Sequence, residues 1–112
     1  MGADAVLVEL EGHLSEGSLR SALSEASAAL ANCMEQRPLL VDCTTMTGYD
    51  SAARQLFVEW NARHKPQVKS VAVVTQKTLW HVVVSAMALA SGQRMKAFDS
   101  RSEALNWIQS AG

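Results

Sequence analysis

The 112-residue sequence has few of the residues that mark particular classes of protein. It contains 2 cysteines, 2 prolines and 6 glycines, and aromatic residues make up only 5% of it. Two cysteines do not form a disulfide-rich scaffold, and we expect both thiols to be reduced because no export signal precedes them. A hydrophobic content of 48% with so little proline and glycine excludes a disordered or low-complexity chain.

The chain also lacks a dominant charge and a long apolar run. Ten basic residues against eleven acidic ones give a net charge of −1, which argues against a nucleic-acid surface. The longest apolar run, Val82 to Ala90, contains Ser85 and falls short of the roughly 20 residues of a membrane span. The N-terminus lacks the basic and apolar regions of a signal peptide. We therefore expect a cytoplasmic protein with no membrane span and no nucleic-acid partner.

Strands and helices alternate along the sequence. Pro38 ends the first helix, Gly92 follows the third, and Ser100 with Glu103 has the spacing of a capping box. Four strand–helix rounds predict an α/β fold: one domain over residues 1–112, with a four-stranded, mainly parallel sheet and about four helices. The predicted strands are 5–11, 39–41, 71–74 and 95–98, and the predicted helices are 18–36, 51–64, 79–91 and 101–108.

Three short motifs occur in order along this chain. Asp42 closes the second strand and Gly48–Tyr49 precedes the next helix; Lys69–Val74 combines a basic residue with an Ala-Val-Val run. Phe98–Asp99 then leads into a helix with Ala-Leu-Asn-Trp. These motifs resemble STAS domains, and more closely their SpoIIAA-like branch. The resemblance implies a non-enzymatic regulatory or protein-interaction module.

The same resemblance raises two questions about the chain. Relatives usually begin with two strands, whereas this chain has room for one before Gly12, so an N-terminal edge is missing, exposed or paired with another subunit. STAS anti-sigma-factor antagonists carry Asp-Ser-Ser-Gly with a phosphorylated first serine; here Asp50–Ser51 is followed by Ala52–Ala53. Asp and Ser are also preferred helix N-caps. We favour a cap over a switch.

The candidate loop or switch site lies at the carboxyl end of the second strand, where sites in parallel sheets tend to form. We predict that Asp50 or Ser51 caps the second helix. We also predict that Asp42 organises the preceding loop by accepting backbone N–H bonds. The site comprises Asp42, Gly48, Tyr49, Asp50 and Ser51.

The third predicted helix is apolar nearly all round, which is typical of a helix buried on more than one side. Its cover comes either from the rest of the monomer or from a partner or ligand. We predict a homodimer that uses this helix or the N-terminal strand. The alternative is a carrier or sensor of a small apolar, lipid-like molecule, because the SpoIIAA-like branch resembles CRAL-TRIO lipid carriers in fold. The candidate interface or ligand residues are Leu79, Trp80, Val83 and Met87.

Side chains for metal binding or catalysis show no recognisable spacing. His13, His64 and His81 are spread over three elements, and Cys33 and Cys43 lie ten apart without a metal-binding motif. No glycine-rich turn is present to hold a phosphate. Cys43, next to a buried strand, is most simply a small core residue. We predict no catalytic residue, no metal and no cofactor.

Overall fold

The computed structural model describes residues 5–32 and 34–110, which form four strands and four helices in strict alternation. The strands form one parallel sheet in the order β1-β2-β3-β4, so strand order follows chain order. The elements are β1 (Val6–Leu14), α1 (Glu16–Ala31), β2 (Arg37–Tyr49), α2 (Ser51–Arg63), β3 (Val68–Val74), α3 (Thr78–Ser91), β4 (Met95–Phe98) and α4 (Arg101–Ser110). The predicted fold class is confirmed.

Two layers of side chains cover the sheet. Alternate residues of β1 to β4 pack with α1, α2 and α3 on one face, where Leu19, Phe57 and Val84 are buried. A smaller cluster on the other face joins Leu40 and Ala72 to Ala104 of α4. Three helices therefore cover one face of the sheet, and α4 covers the other.

The second strand is much longer than predicted. It does not stop at Val41 but continues to Tyr49, paired with β1 as far as Leu14. Residues 42–49 read as a polar connection because only Cys43 and Met46 among them are buried. Since β3 ends at Val74, opposite Asp42, the last part of β1 and β2 forms a two-stranded extension beyond the rest of the sheet.

The first strand likewise passes through Gly12 instead of ending there. Gly12 has a φ of 59°, a conformation that glycine adopts without steric cost. The two register irregularities of this strand pair both place an extra residue in β2, one opposite Leu10 and one at Thr47. Because neither extra residue lies in β1, its side chains keep alternating between the buried and the more exposed side up to Leu14. The edge of β1 that faces away from β2 has no partner strand within the described part of the chain.

The first helix differs from its predicted range at both ends. It starts at Glu16 because Ser15 accepts a hydrogen bond from the Ser18 amide at 3.2 Å, the geometry of an N-cap. It ends at Ala31, and Met34, predicted to lie on the apolar stripe, is fully exposed. Cys33, predicted on the same stripe, lies outside the described residues.

From α3 onward the boundaries agree with the sequence predictions to within two residues, whereas β3 starts at Val68, three residues before its predicted start. Gly92 caps α3 in the left-handed conformation, with a φ of 72°. The strand at Met95–Phe98 has the predicted bounds. Ser100 accepts a hydrogen bond from the Glu103 amide at 3.2 Å, as expected of the capping box that opens α4.

Candidate functional site

The two-stranded extension brings a histidine of β1 beside the start of α2. His13 Nε2 donates a hydrogen bond to Asp50 Oδ1 at 2.7 Å, and both side chains are about half exposed. Gly48 lies opposite His13 in the strand pair. A Cβ on Gly48 would lie 3.1 Å from His13 Nδ1, so the glycine leaves space for the imidazole. The lengthened strands thus create a polar pair at the carboxyl end of the sheet.

Asp50, one of the two predicted caps, takes the N-cap position of α2 without the expected side-chain hydrogen bond. Its carboxylate instead binds His13. Its backbone carbonyl accepts the amides of Ala53 and Arg54 at 3.0 and 3.2 Å. Ser51 is the first helical residue, and its exposed hydroxyl has no hydrogen-bond partner among the described residues. Ser51 is therefore not the cap.

Asp42 lies on the opposite face of the sheet, apart from the rest of the predicted loop site. It accepts a hydrogen bond from the Thr44 amide at 2.9 Å, within the strand, and one from Arg101 Nε at 2.7 Å. Arg101 also contacts Glu9 at 2.9 Å. Partial burial by itself would raise the pKa of Asp42, but the hydrogen bonds from Thr44 and Arg101 outweigh it, and the pKa lies below its ordinary value. Asp42 thus accepts the predicted backbone bond but organises a strand–α4 contact instead of a loop.

Tyr49 and Trp80 join the end of β2 to the start of α3. Their rings meet edge to face with centroids 5.5 Å apart, an arrangement that aromatic pairs favour. Lys77 Nζ lies 5.1 Å from the Trp80 ring centroid. Trp80 is therefore fixed on one side by an aromatic contact and on another by a cation.

A small apolar cavity lies beneath this aromatic pair. Its volume is about 70 Å³, and its lining includes Cys43, Trp80, Val83 and Met87. An apolar cavity that binds benzene has roughly twice this volume, about 150 Å³. This cavity is too small for an acyl chain, whereas a larger open groove of about 550 Å³ lies between α2 and α3 and is partly polar, since Ser51, Arg54 and Gln55 line it.

The third helix turns a second set of apolar side chains toward solvent. We call this set the outer α3 face; it comprises Leu79, Val82, Ala86, Leu89 and Ala90. The three large side chains are 71%, 65% and 86% exposed for Leu79, Val82 and Leu89 respectively. Of the four residues predicted as an interface or ligand site, only Leu79 belongs to this face, whereas Trp80, Val83 and Met87 turn toward the cavity.

The spacing of the outer α3 face is visible in the sequence, but its orientation is not. Residues 79, 82, 86 and 89 recur at steps of three and four, which places them on one side of a helix. The sequence does not indicate which side faces solvent, because both sides of α3 are apolar. Residues pointing inward and outward therefore had the same hydrophobic signal.

Groups able to carry acid–base or metal chemistry are dispersed or already paired. Among residues 5–32 and 34–110, no three His, Cys, Asp or Glu side chains converge as metal ligands. Burial, followed by the charge of Asp42, raises the pKa of the Cys43 thiol to about 12. His81 Nε2 donates to the Thr75 carbonyl at 2.9 Å and lies 3.3 Å from Asp99. In the described part of the chain, no helix has both the length and the apolarity to cross a bilayer.

A parallel sheet in chain order, covered by three helices on one face and one on the other, defines an α/β domain of the STAS type. The chain belongs to the SpoIIAA-like family, whose model matches residues 5–109. It therefore shares its fold class with the family that its short motifs resemble.

A solved structure supports the same fold. It is an uncharacterized protein of the DUF3478 family with a SpoIIAA-like fold from Shewanella loihica PV-4. The similarity has a TM-score of 0.74 at 20% identity and covers 91% of this chain and 82% of that one. No curated protein matches the sequence.

Proposed function

We propose that this chain is a non-enzymatic, STAS-type interaction module that forms a homodimer through the outer α3 face. The observation that carries the proposal is the exposure of Leu79, Val82 and Leu89 on one side of α3. Contiguous exposed apolar side chains on a small domain mark interaction sites. Membership of the SpoIIAA-like family is compatible with such a regulatory module.

A second copy of the chain suits this face because the face is uncharged. Lys77 and Arg94 are the nearest charged residues in sequence on either side of it. In a two-fold dimer the same patch meets itself, so a neutral patch avoids like-charge contacts. The small side chains of Ala86 and Ala90 let two helices approach closely.

The strand β1 suits self-pairing less well. An antiparallel pair of β1 strands centred on Leu10 would set Glu9 of each copy opposite Glu11 of the other. Like charges directly opposite each other destabilise a strand pair. Of the two surfaces predicted to form the homodimer, the charges therefore favour α3.

The absence of catalysis is supported by the state of the reactive groups. A Cys43 thiol with a pKa of about 12 is almost entirely protonated near neutral pH, and only a thiolate is strongly nucleophilic. The 70 Å³ cavity beside it is lined by apolar residues such as Val41, Phe57 and Val73. We therefore assign the function of this domain to its surface and not to a catalytic group.

Sedimentation velocity at tens of micromolar protein tests the dimer. We expect the unaltered chain to sediment as a dimer and the Val82→Asp variant as a monomer. Val82 points outward, so thermal unfolding at submicromolar concentration should be unchanged. The matched control is Leu7→Asp, which places the same charge on a half-exposed residue of β1.

Three results would contradict the proposal. One is a chain that stays monomeric over the whole concentration range. Another is a Val82→Asp variant that still dimerises. The third is a dimer lost in Leu7→Asp and kept in Val82→Asp, which would transfer the interface to β1.

A further inference from the structure

The free edge of β1 is a second surface with a defined chemistry. β1 is the first strand of the sheet, and no described residue pairs with its outer side. Such an edge presents a row of backbone N–H and C=O groups to any strand that arrives. Proteins usually block long edges with proline, with charged side chains and lysine above all, or with a bulge. Over Val6–Glu11 the strand has neither proline nor lysine, and the extra residues of the irregular pairing lie in β2.

The side chains of this edge alternate in character. Val6, Val8 and Leu10 are buried beneath the helical layer, whereas Leu7, Glu9 and Glu11 are exposed on the other side. Glu9 shares Arg101 with Asp42. Glu11 has no ion-pair partner in the described part of the chain. Arg101 thus pairs with Glu9 and Asp42, and Glu11 adds a further carboxylate, so the exposed side of the edge is acidic from Glu9 to Glu11.

We propose that the β1 edge binds an extended segment of a partner protein that carries Lys or Arg at alternate positions. The segment adds a fifth strand to the sheet. Because residues two apart in a strand share a face, two such cations lie opposite Glu9 and Glu11. Opposite charges paired across strands stabilise the pairing, and the residues between them face the apolar side. This inference is independent of the α3 dimer.

Titration of the full chain with short synthetic peptides tests the inference. The probe is acetyl-Thr-Lys-Val-Lys-Val-Thr-amide, and its twin carries Glu in place of both lysines. We expect the lysine peptide to slow amide hydrogen exchange within Val6–Glu11, because backbone groups of β1 gain partners. The acidic twin should not bind. A lysine peptide with a methylated backbone should bind less well, since it has lost donors.

Two charge-reversal variants distinguish edge binding from general attraction. Glu11→Lys should weaken binding of the lysine peptide about tenfold, as expected when an attractive pair becomes a repulsive one. Glu25→Lys makes the same charge change at an exposed position of α1 and should leave the affinity unchanged. Val82→Asp should also bind normally, which separates this site from the outer α3 face.

The inference is overturned by any of three outcomes. These are equal weakening by Glu11→Lys and Glu25→Lys, exchange protection at α3 instead of β1, and no protection at millimolar peptide.

Discussion

Trp60 Nε1 donates a hydrogen bond to Ser27 Oγ at 3.0 Å and so joins α2 to α1. The same hydroxyl lies 3.4 Å from His64 Nε2, and His64 Nδ1 donates to the Trp60 carbonyl at 2.9 Å. The His64 ring also stacks on the indole, with centroids 4.3 Å apart. Ser27 thus accepts from the indole and donates to the imidazole, and the ring of hydrogen bonds closes through the Trp60 backbone carbonyl.

Removal of the central hydroxyl should destabilise the domain. Ser27→Ala leaves the indole N–H of Trp60 without its acceptor in a partly buried site, and we expect a loss of about 1–2 kcal/mol in unfolding free energy. Chemical denaturation measures this loss. Ser24→Ala, at an exposed position of the same helix, should change stability by less than about 0.5 kcal/mol. Equal effects of the two substitutions would show that the ring contributes nothing.

Asp42 should make stability depend on pH in the acid range. Its pKa is lower in the folded chain than its ordinary value of 3.8. Its contribution is therefore fully present above that ordinary value and is lost as the pH falls through the folded pKa. We expect Asp42→Asn to lower the unfolding free energy by about 1–3 kcal/mol at pH 7. The difference from the unaltered chain should shrink below about pH 4. Unfolding curves from pH 2 to 7 check this, and a constant difference would contradict it.

Cys43 should be inert toward thiol reagents in the folded chain. With a pKa of about 12, roughly one Cys43 in ten thousand is a thiolate at pH 8, compared with about a quarter of free cysteines. Iodoacetamide labelling followed by peptide mass spectrometry should leave Cys43 unmodified until denaturant is added. Rapid labelling of the native chain at this residue would place Cys43 outside the core.

Ser51 should be replaceable without loss of stability. Its hydroxyl has no described hydrogen-bond partner, so Ser51→Ala should change the unfolding free energy by less than about 0.5 kcal/mol. Ser51→Asp should raise it by about 0.3–1 kcal/mol, since a carboxylate in the first turn suits the helix dipole. Thermal unfolding measures both. A loss of about 1 kcal/mol in Ser51→Ala would restore the cap interpretation, whereas lost partner binding in a stable Ser51→Asp variant would favour a switch.

The fold could be predicted from sequence because its signals are local. The Met95–Phe98 strand, the left-handed Gly92 and the Ser100 cap each depend on a few adjacent residues, and each was predicted. The length of β2 depends instead on pairing with β1, whose residues lie about 35 positions earlier in the chain. Its outer half is covered on one side only, so residues 42–49 lack the continuous apolar run of a buried strand.

The candidate site was harder to predict for a related reason. The topology of the sheet pairs His13 with Asp50 and Asp42 with Arg101. Their spacing in the sequence gives no sign of either pair. The N-cap rule left Asp50 and Ser51 as alternatives; Asp50 takes the position, but its carboxylate binds an imidazole from another strand. On α3, the inward and outward residues are chemically alike, and only their depth in the structure distinguishes them.

The identity of strand order and chain order affects how the domain is made. Each strand that leaves the ribosome finds its only earlier neighbour already synthesised, so the sheet can grow in one direction as translation proceeds. The face under α4 is different, because Leu40, Ala72 and Val74 stay uncovered until the last helix is synthesised. A nascent chain that ends before Arg101 therefore exposes a finished apolar sheet surface. Chaperone capture and protease sensitivity should fall sharply once α4 emerges.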